Sequence, residues 1–179
     1  MNTEIFSKFR SLASLLKYPG DEFQKNLNDA AETFSRENSD GDEHFSSFQN
    51  SIRDQSIEQM EELYTRTFDL NPVCTLEVGW QLYGEEYKRG EFLVRMRRLL
   101  RKYGIAEGTE LPDHLAYLLL ALDRIETEPG KELADKFIRP ALKKMIEGFK
   151  DKSNPYFSLL RFLDAELARY VDIERKAEL

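Results

Sequence analysis

Two histidines, His44 and His114, and one cysteine, Cys74, are the only imidazole and thiol groups in the chain. A zinc site of nitrogen and sulfur ligands would need nearly all three, and their wide spacing matches no zinc pattern. A di-iron bundle needs paired Glu-x-x-His motifs, and neither histidine has a glutamate three residues before it. Gly130–Lys131 could belong to a phosphate-binding loop, but Ile125 stands where its first glycine should be. Asp113 and His114 with a serine would make a hydrolase triad. Neighbours on a helix point about 100° apart, which places Asp113 poorly for orienting His114. No catalytic set is assembled, so the chain does not read as an enzyme, and a cofactor of its own is not expected.

A second kind of chemistry is anion binding. Between Lys88 and Lys102 lie seven bases (Lys88, Arg89, Arg95, Arg97, Arg98, Arg101 and Lys102) against one acid, Glu91. A basic amphipathic helix of this kind can hold phosphate, an acidic partner or duplex DNA. The packing alternative is a solvated basic face that pairs with acids elsewhere in the domain.

Those acids sit mainly in the first half. The net charge is -7. Residues 1–70 carry 14 acids and 7 bases, whereas residues 71–179 carry 19 of each. Such a balance repels nucleic acid and favours a basic partner. Apolar residues make up 41% and charged residues 33%, the proportions of an ordinary globular chain. The longest dense apolar run, Leu115 to Leu122, is far shorter than the roughly 20 residues that span a bilayer. No secretory signal is apparent, and a lone cysteine suits a reducing compartment; a cytoplasmic protein without stable membrane insertion is expected.

The elements that must position these residues are helical throughout. Phe6, Phe9, Leu12, Ala13 and Leu16 form one stripe, closed by "YPG" (Tyr18 to Gly20). Asp21 with Gln24 reads as a capping box ahead of Phe23, Leu27, Ala30, Ala31 and Phe34. Ser35 to His44 reads as a polar, mobile loop, and Phe45, Phe48 and Ile52 as a short helix. Ser56 and Gln59 make a second capping box, which opens the helix ending in "YTRTFDLNP" (Tyr64 to Pro72). Thr75 can cap a short helix that Gly84 ends; "VCTLEV" (Val73 to Val78) could instead be a brief strand with no obvious partner. A helix from Arg89 stops at Gly104, and Leu111 to Ile125 reads as a helix with proline in its first turn. Pro140 should kink or split the Leu133–Phe149 pattern. Asn154 and Pro155 launch the last helix. The expectation is an all-α fold, a single compact domain of about eight or nine packed helices over residues 1–179.

Periodicity leaves three stretches unexplained. "LYTRTFDLNP", "LYGEEYKRGEFLVRM" and "ELPDHLAYLLLAL" follow one another in order. Together they resemble the NarJ-like (nitrate reductase delta subunit) and TorD/DmsD-like chaperones that mature molybdenum oxidoreductases. The resemblance is good over about residues 60–125 and looser elsewhere. The "TFD" and "RG" elements resemble the nitrate reductase branch. "PDH" resembles the Pro-x-Asp-His element of the TorD-like branch without its intervening residue.

The resemblance implies an all-α chaperone without turnover. Its partner would be the N-terminal segment of a molybdenum oxidoreductase catalytic subunit, often a twin-arginine signal peptide, held until the cofactor is inserted. Carried over residue by residue, the client-peptide site would comprise Tyr64, Phe68, Asp69, Pro72, Tyr83, Gly84, Arg89, Gly90, Pro112, Asp113 and His114. Asp69 should then lie in the same concave region as Asp113 and His114. A monomer and a dimer both fit. The competing readings are a helical regulatory adaptor or nucleic-acid-binding protein using the 88–102 helix, and a small hydrolase centred on His114.

Overall fold

Helical spacing of apolar residues dominates the chain, and helices are what form. The structure, a computed structural model, describes residues 3–35 and 42–172. In order these build α1 (Thr3–Leu15), α2 (Phe23–Ser35), α3 (Asp42–Ile52), α4 (Ile57–Tyr64), α5 (Val78–Tyr83), α6 (Tyr87–Lys102), α7 (Leu115–Leu122), α8 (Thr127–Leu133), α9 (Arg139–Glu147) and α10 (Pro155–Asp172). Of the expected Ser35–His44 loop, residues 36–41 lie outside the described residues, and His44 is already inside α3.

The packing follows the apolar stripes. α1 lies against α2 and α7, α10 against α3 and α9, and α5 against α6 and α9. Seven of the eight residues of α7 are buried, so it is apolar nearly all round and runs through the middle of the core. One run of rings ties the N-terminal helices to α10. Phe34 meets Phe162 at 4.8 Å, Phe48 meets Tyr156 at 5.8 Å, and Tyr156 meets Phe68 at 4.8 Å and Tyr64 at 5.9 Å. Ring pairs of this kind add about 0.5–1.5 kcal/mol each beyond their burial.

The ends of the helices show which turn signals act. The Ser56 hydroxyl accepts from the Gln59 amide at 3.3 Å, and the Gln59 side chain accepts from the Ser56 amide at 2.8 Å, a complete capping box. The Asn154 side chain accepts from the Tyr156 amide at 3.0 Å at the start of α10. Gly84 and Gly104 adopt φ of 55° and 63° and end α5 and α6.

Other signals are overridden. α2 begins at Phe23, one residue too late for Asp21 to cap it, and the Gln24 side-chain NH2 donates to the Asn28 side-chain oxygen instead. Thr75 does not cap α5, whose N-cap is Glu77. α7 is shorter than the Leu111–Ile125 pattern, because Leu111 to His114 fold as a turn that pairs with another segment. That partner is the one "VCTLEV" lacked in sequence: Val78 donates to the Asp113 carbonyl at 3.1 Å, and Leu115 donates to Leu76 at 2.8 Å. One isolated antiparallel bridge, Glu77 to His114, is the result.

Two helices widen into π turns, at Thr65–Asp69 and Ala134–Ile138. In the first, Leu70 donates to Thr65 at 3.0 Å. The second immediately precedes Pro140, which sits in the first turn of α9, where its missing N–H costs little. The break expected at the proline is thus realised as a π turn before it. No described helix is long and apolar enough to cross a membrane.

Candidate functional site

Tyr64 is the centre of one cluster. α4 carries it inward, where it is 2% exposed and stacks edge-on with Phe68 at 5.0 Å. Its hydroxyl donates to the Leu16 carbonyl at 3.1 Å and lies 3.5 Å from His114 Nε2. On the other side of the imidazole, Nδ1 accepts from the Ala116 amide at 3.2 Å and so caps α7. With Nδ1 an acceptor and the Tyr64 proton given to Leu16, Nε2 carries the hydrogen and points it at the tyrosine oxygen. Burial, with the charge of Lys17 adding to it, pushes the His114 pKa down to about 4. His114 is therefore a neutral core histidine with a capping duty.

The surface over this cluster is acidic and partly apolar. Burial raises the Tyr64 pKa, and the charges of Glu110 and Asp69 raise it further. Both acids are exposed. Tyr18 stacks on Tyr64 at 5.5 Å and is 51% exposed. Leu70 and Leu111, the sequence neighbours of Asp69 and Glu110, are 76% and 38% exposed.

Asp113 serves a different cluster. It is fully buried, and its Oδ2 accepts from the Gly79 amide at 2.7 Å. Burial raises its pKa, opposed by the Gly79 hydrogen bond and by Arg89. The Leu111–Ile125 pattern would place Asp113 in the first turn of a helix. Asp113 instead fastens the start of α5 to the turn before α7. Arg89 reaches back from α6 to Glu77 at 2.6 Å and lies over the Trp80 ring at 5.1 Å. The Trp80 indole donates to the Pro72 carbonyl at 3.0 Å, which pins the loop after "YTRTFDLNP".

The eleven residues singled out in sequence therefore separate. Tyr64, Phe68, Asp69 and His114 gather at the first cluster. Pro72, Arg89 and Asp113 gather around α5, where Pro112 is buried beside Asp113. Tyr83 packs on Phe92 at 5.7 Å, Gly84 is the left-handed stop of α5, and Gly90 is exposed on α6 with open space around it. Asp69, Asp113 and His114 do not share one open surface, since Asp113 and His114 are buried. Glu110, which no spacing rule connects to Tyr64, is the other acid whose charge bears on it. Another part of the same stretch faces elsewhere: Leu63, Arg66, Thr67 and Asn71 line a groove of about 1000 Å³ running to Asn154 and Pro155. Among the described residues no group of His, Cys, Asp and Glu could hold a metal ion.

Residues 21–161 match a family model described as the nitrate reductase delta subunit. The chain belongs to the nitrate reductase delta subunit family. At the level of that family it is an assembly chaperone of molybdoenzyme maturation. No individually curated protein matches it.

The basic helix is also accounted for in part. Its described ion pairs, Arg89 with Glu77 at 2.6 Å and Arg97 with Glu107 at 2.9 Å, are both with acids after residue 70. It does not pair with the acidic first half in these contacts.

Proposed function

We propose that this protein binds the N-terminal segment of the catalytic subunit of a molybdenum oxidoreductase in the cytoplasm. It would hold that segment while the cofactor is inserted, before export or membrane attachment. Family membership over residues 21–161 is the observation that carries this reading. A client segment of this kind is basic and apolar. The surface over Tyr64 offers what such a segment needs: Asp69 and Glu110 for its arginines, and Tyr18, Leu70 and Leu111 for its apolar side chains. Phe68, Pro112, Asp113 and His114 act from beneath, by fixing the backbone that presents these groups. Pro72, Tyr83, Gly84, Arg89 and Gly90 hold the neighbouring α5–α6 unit in place.

Calorimetric titration of the full chain with N-terminal peptides of candidate catalytic subunits tests the reading. One peptide should bind saturably. Asp69→Asn and Glu110→Gln should each weaken it about fivefold, the worth of an exposed charge pair of about 1 kcal/mol. Absence of saturable binding by every peptide would overturn the function. Loss on Glu62→Gln and Asn71→Ala, but not on Asp69→Asn, would move the site to the groove beside α10.

A further inference from the structure

α6 has an outward face that neither the core nor the Tyr64 surface uses. Tyr87, Glu91, Val94, Arg98 and Arg101 recur along it at helical spacing, and all are exposed. Tyr87 is 85% exposed and Val94 48%. Arg98 and Arg101 have no ion pair among the described residues. Lys88, Arg95 and Lys102 flank the stripe on one side and are exposed too.

On that same flank the helix edges a pit of about 260 Å³. Tyr83, Phe92 and Phe137 line its base, with the Phe92 ring 5.7 Å from Tyr83 and 5.4 Å from Phe137. Lys88, Glu91 and Arg95 form the rim. The Arg95 guanidinium lies 4.8 Å from the Phe137 centroid, so a cation sits directly over apolar ring surface. An aromatic pocket rimmed by cations, beside further unpaired cations, is the complement of an acidic chain that carries one apolar anchor.

We propose that the outward face of α6 is a second docking surface, which takes an acidic segment of a partner protein and seats one of its apolar side chains in the Tyr83–Phe92–Phe137 pit. Carboxylates of the segment meet Arg98, Arg101 and the flanking cations. The surface differs from the client-peptide surface in sign and in place, and the proposal does not rest on that reading. Duplex DNA fits less well: the chain is acidic overall, Glu91 interrupts the stripe, and a phosphate backbone has no use for exposed Tyr87 and Val94.

Fluorescence anisotropy with the full chain tests this. The probe is a short fluorescein-labelled peptide of alternating glutamate and alanine around one central tryptophan. It should bind saturably. Replacing the tryptophan by alanine should weaken it about tenfold, as loss of one anchor does. The double substitution Arg98→Glu with Arg101→Glu should weaken it at least as much, and Arg98→Lys with Arg101→Lys should largely keep it. Should the Glu variant fail to fold by circular dichroism, Arg98→Gln with Arg101→Gln replaces it, with the same expected loss. Three results would overturn the proposal: no saturation, equal binding of the tryptophan-free peptide, or tighter binding of a DNA duplex at the same salt.

Discussion

His114 shows how much one buried imidazole can decide. Its neutral Nε2–H form caps α7 through Nδ1 and touches Tyr64 through Nε2. Protonation would put a second hydrogen on Nδ1, facing the Ala116 N–H, and the cap would be lost. The folded pKa of about 4 lies below the ordinary 6.5, so the unfolded chain binds the extra proton more readily. The stability contribution is therefore complete above pH 6.5 and is lost as pH falls towards 4. Between pH 7 and pH 5 the loss should be about 2 kcal/mol. Asp113 works in the opposite direction, because burial raises its pKa, but from a lower starting value of 3.8. Urea titrations at the two pH values should show the loss, and His114→Asn, which keeps a capping oxygen, should shrink it. An equal loss in the His114→Asn chain would contradict a buried neutral imidazole as its source. Gly79 gives a second prediction. A Cβ there would stand 2.7 Å from Asp113 Oδ2 and 2.9 Å from Phe92, too close for either to stay in place. Gly79→Ala should therefore destabilise the fold by about 1–3 kcal/mol by denaturant unfolding.

At the scale of elements, the sequence makes local signals legible and hides non-local ones. The Ser56–Gln59 box and the Asn154–Pro155 start depend on residues within one turn, and both form as read. Ser56→Ala should cost about 1 kcal/mol in chemical denaturation, since it removes one satisfied amide at the start of α4. The start of α7 was misplaced because Leu111–His114 has a helical pattern but a tertiary partner. The two bonds to Leu76 and Val78 outcompete another helical turn. The π turns were hidden for a different reason. A π turn absorbs its added residue locally, so Tyr64 and Phe68 still read as ordinary helix neighbours. The site was legible to the same degree. Tyr64, Phe68 and Asp69 lie within one stretch and could be read as a unit. Glu110 could not be joined to Tyr64 by any local rule, since only tertiary folding brings its charge to bear on the phenol.

Across the whole molecule, charge is partitioned. Residues 1–70 hold the full excess of -7 and residues 71–179 are balanced, and most cations of α6 are exposed. Long-range attraction of a basic client segment should appear mainly in the association rate. Stopped-flow mixing of a basic client peptide should show that rate falling about tenfold or more from dilute to near-molar salt, with the dissociation rate changing less. A salt-independent association rate would show that the acidic half has no part in capture.

The π turn at Thr65–Asp69 also bears on how relatives of this chain should be compared. A π turn holds one residue beyond what an uninterrupted α-helix needs. Excising that residue would leave a continuous α-helix, with the residues before and after the cut keeping their faces. The ring packing of Tyr64 on Tyr156 lies before the cut and would survive. A single-residue gap here, in a chain otherwise alike, therefore marks the loss of a local bulge and not a change of architecture.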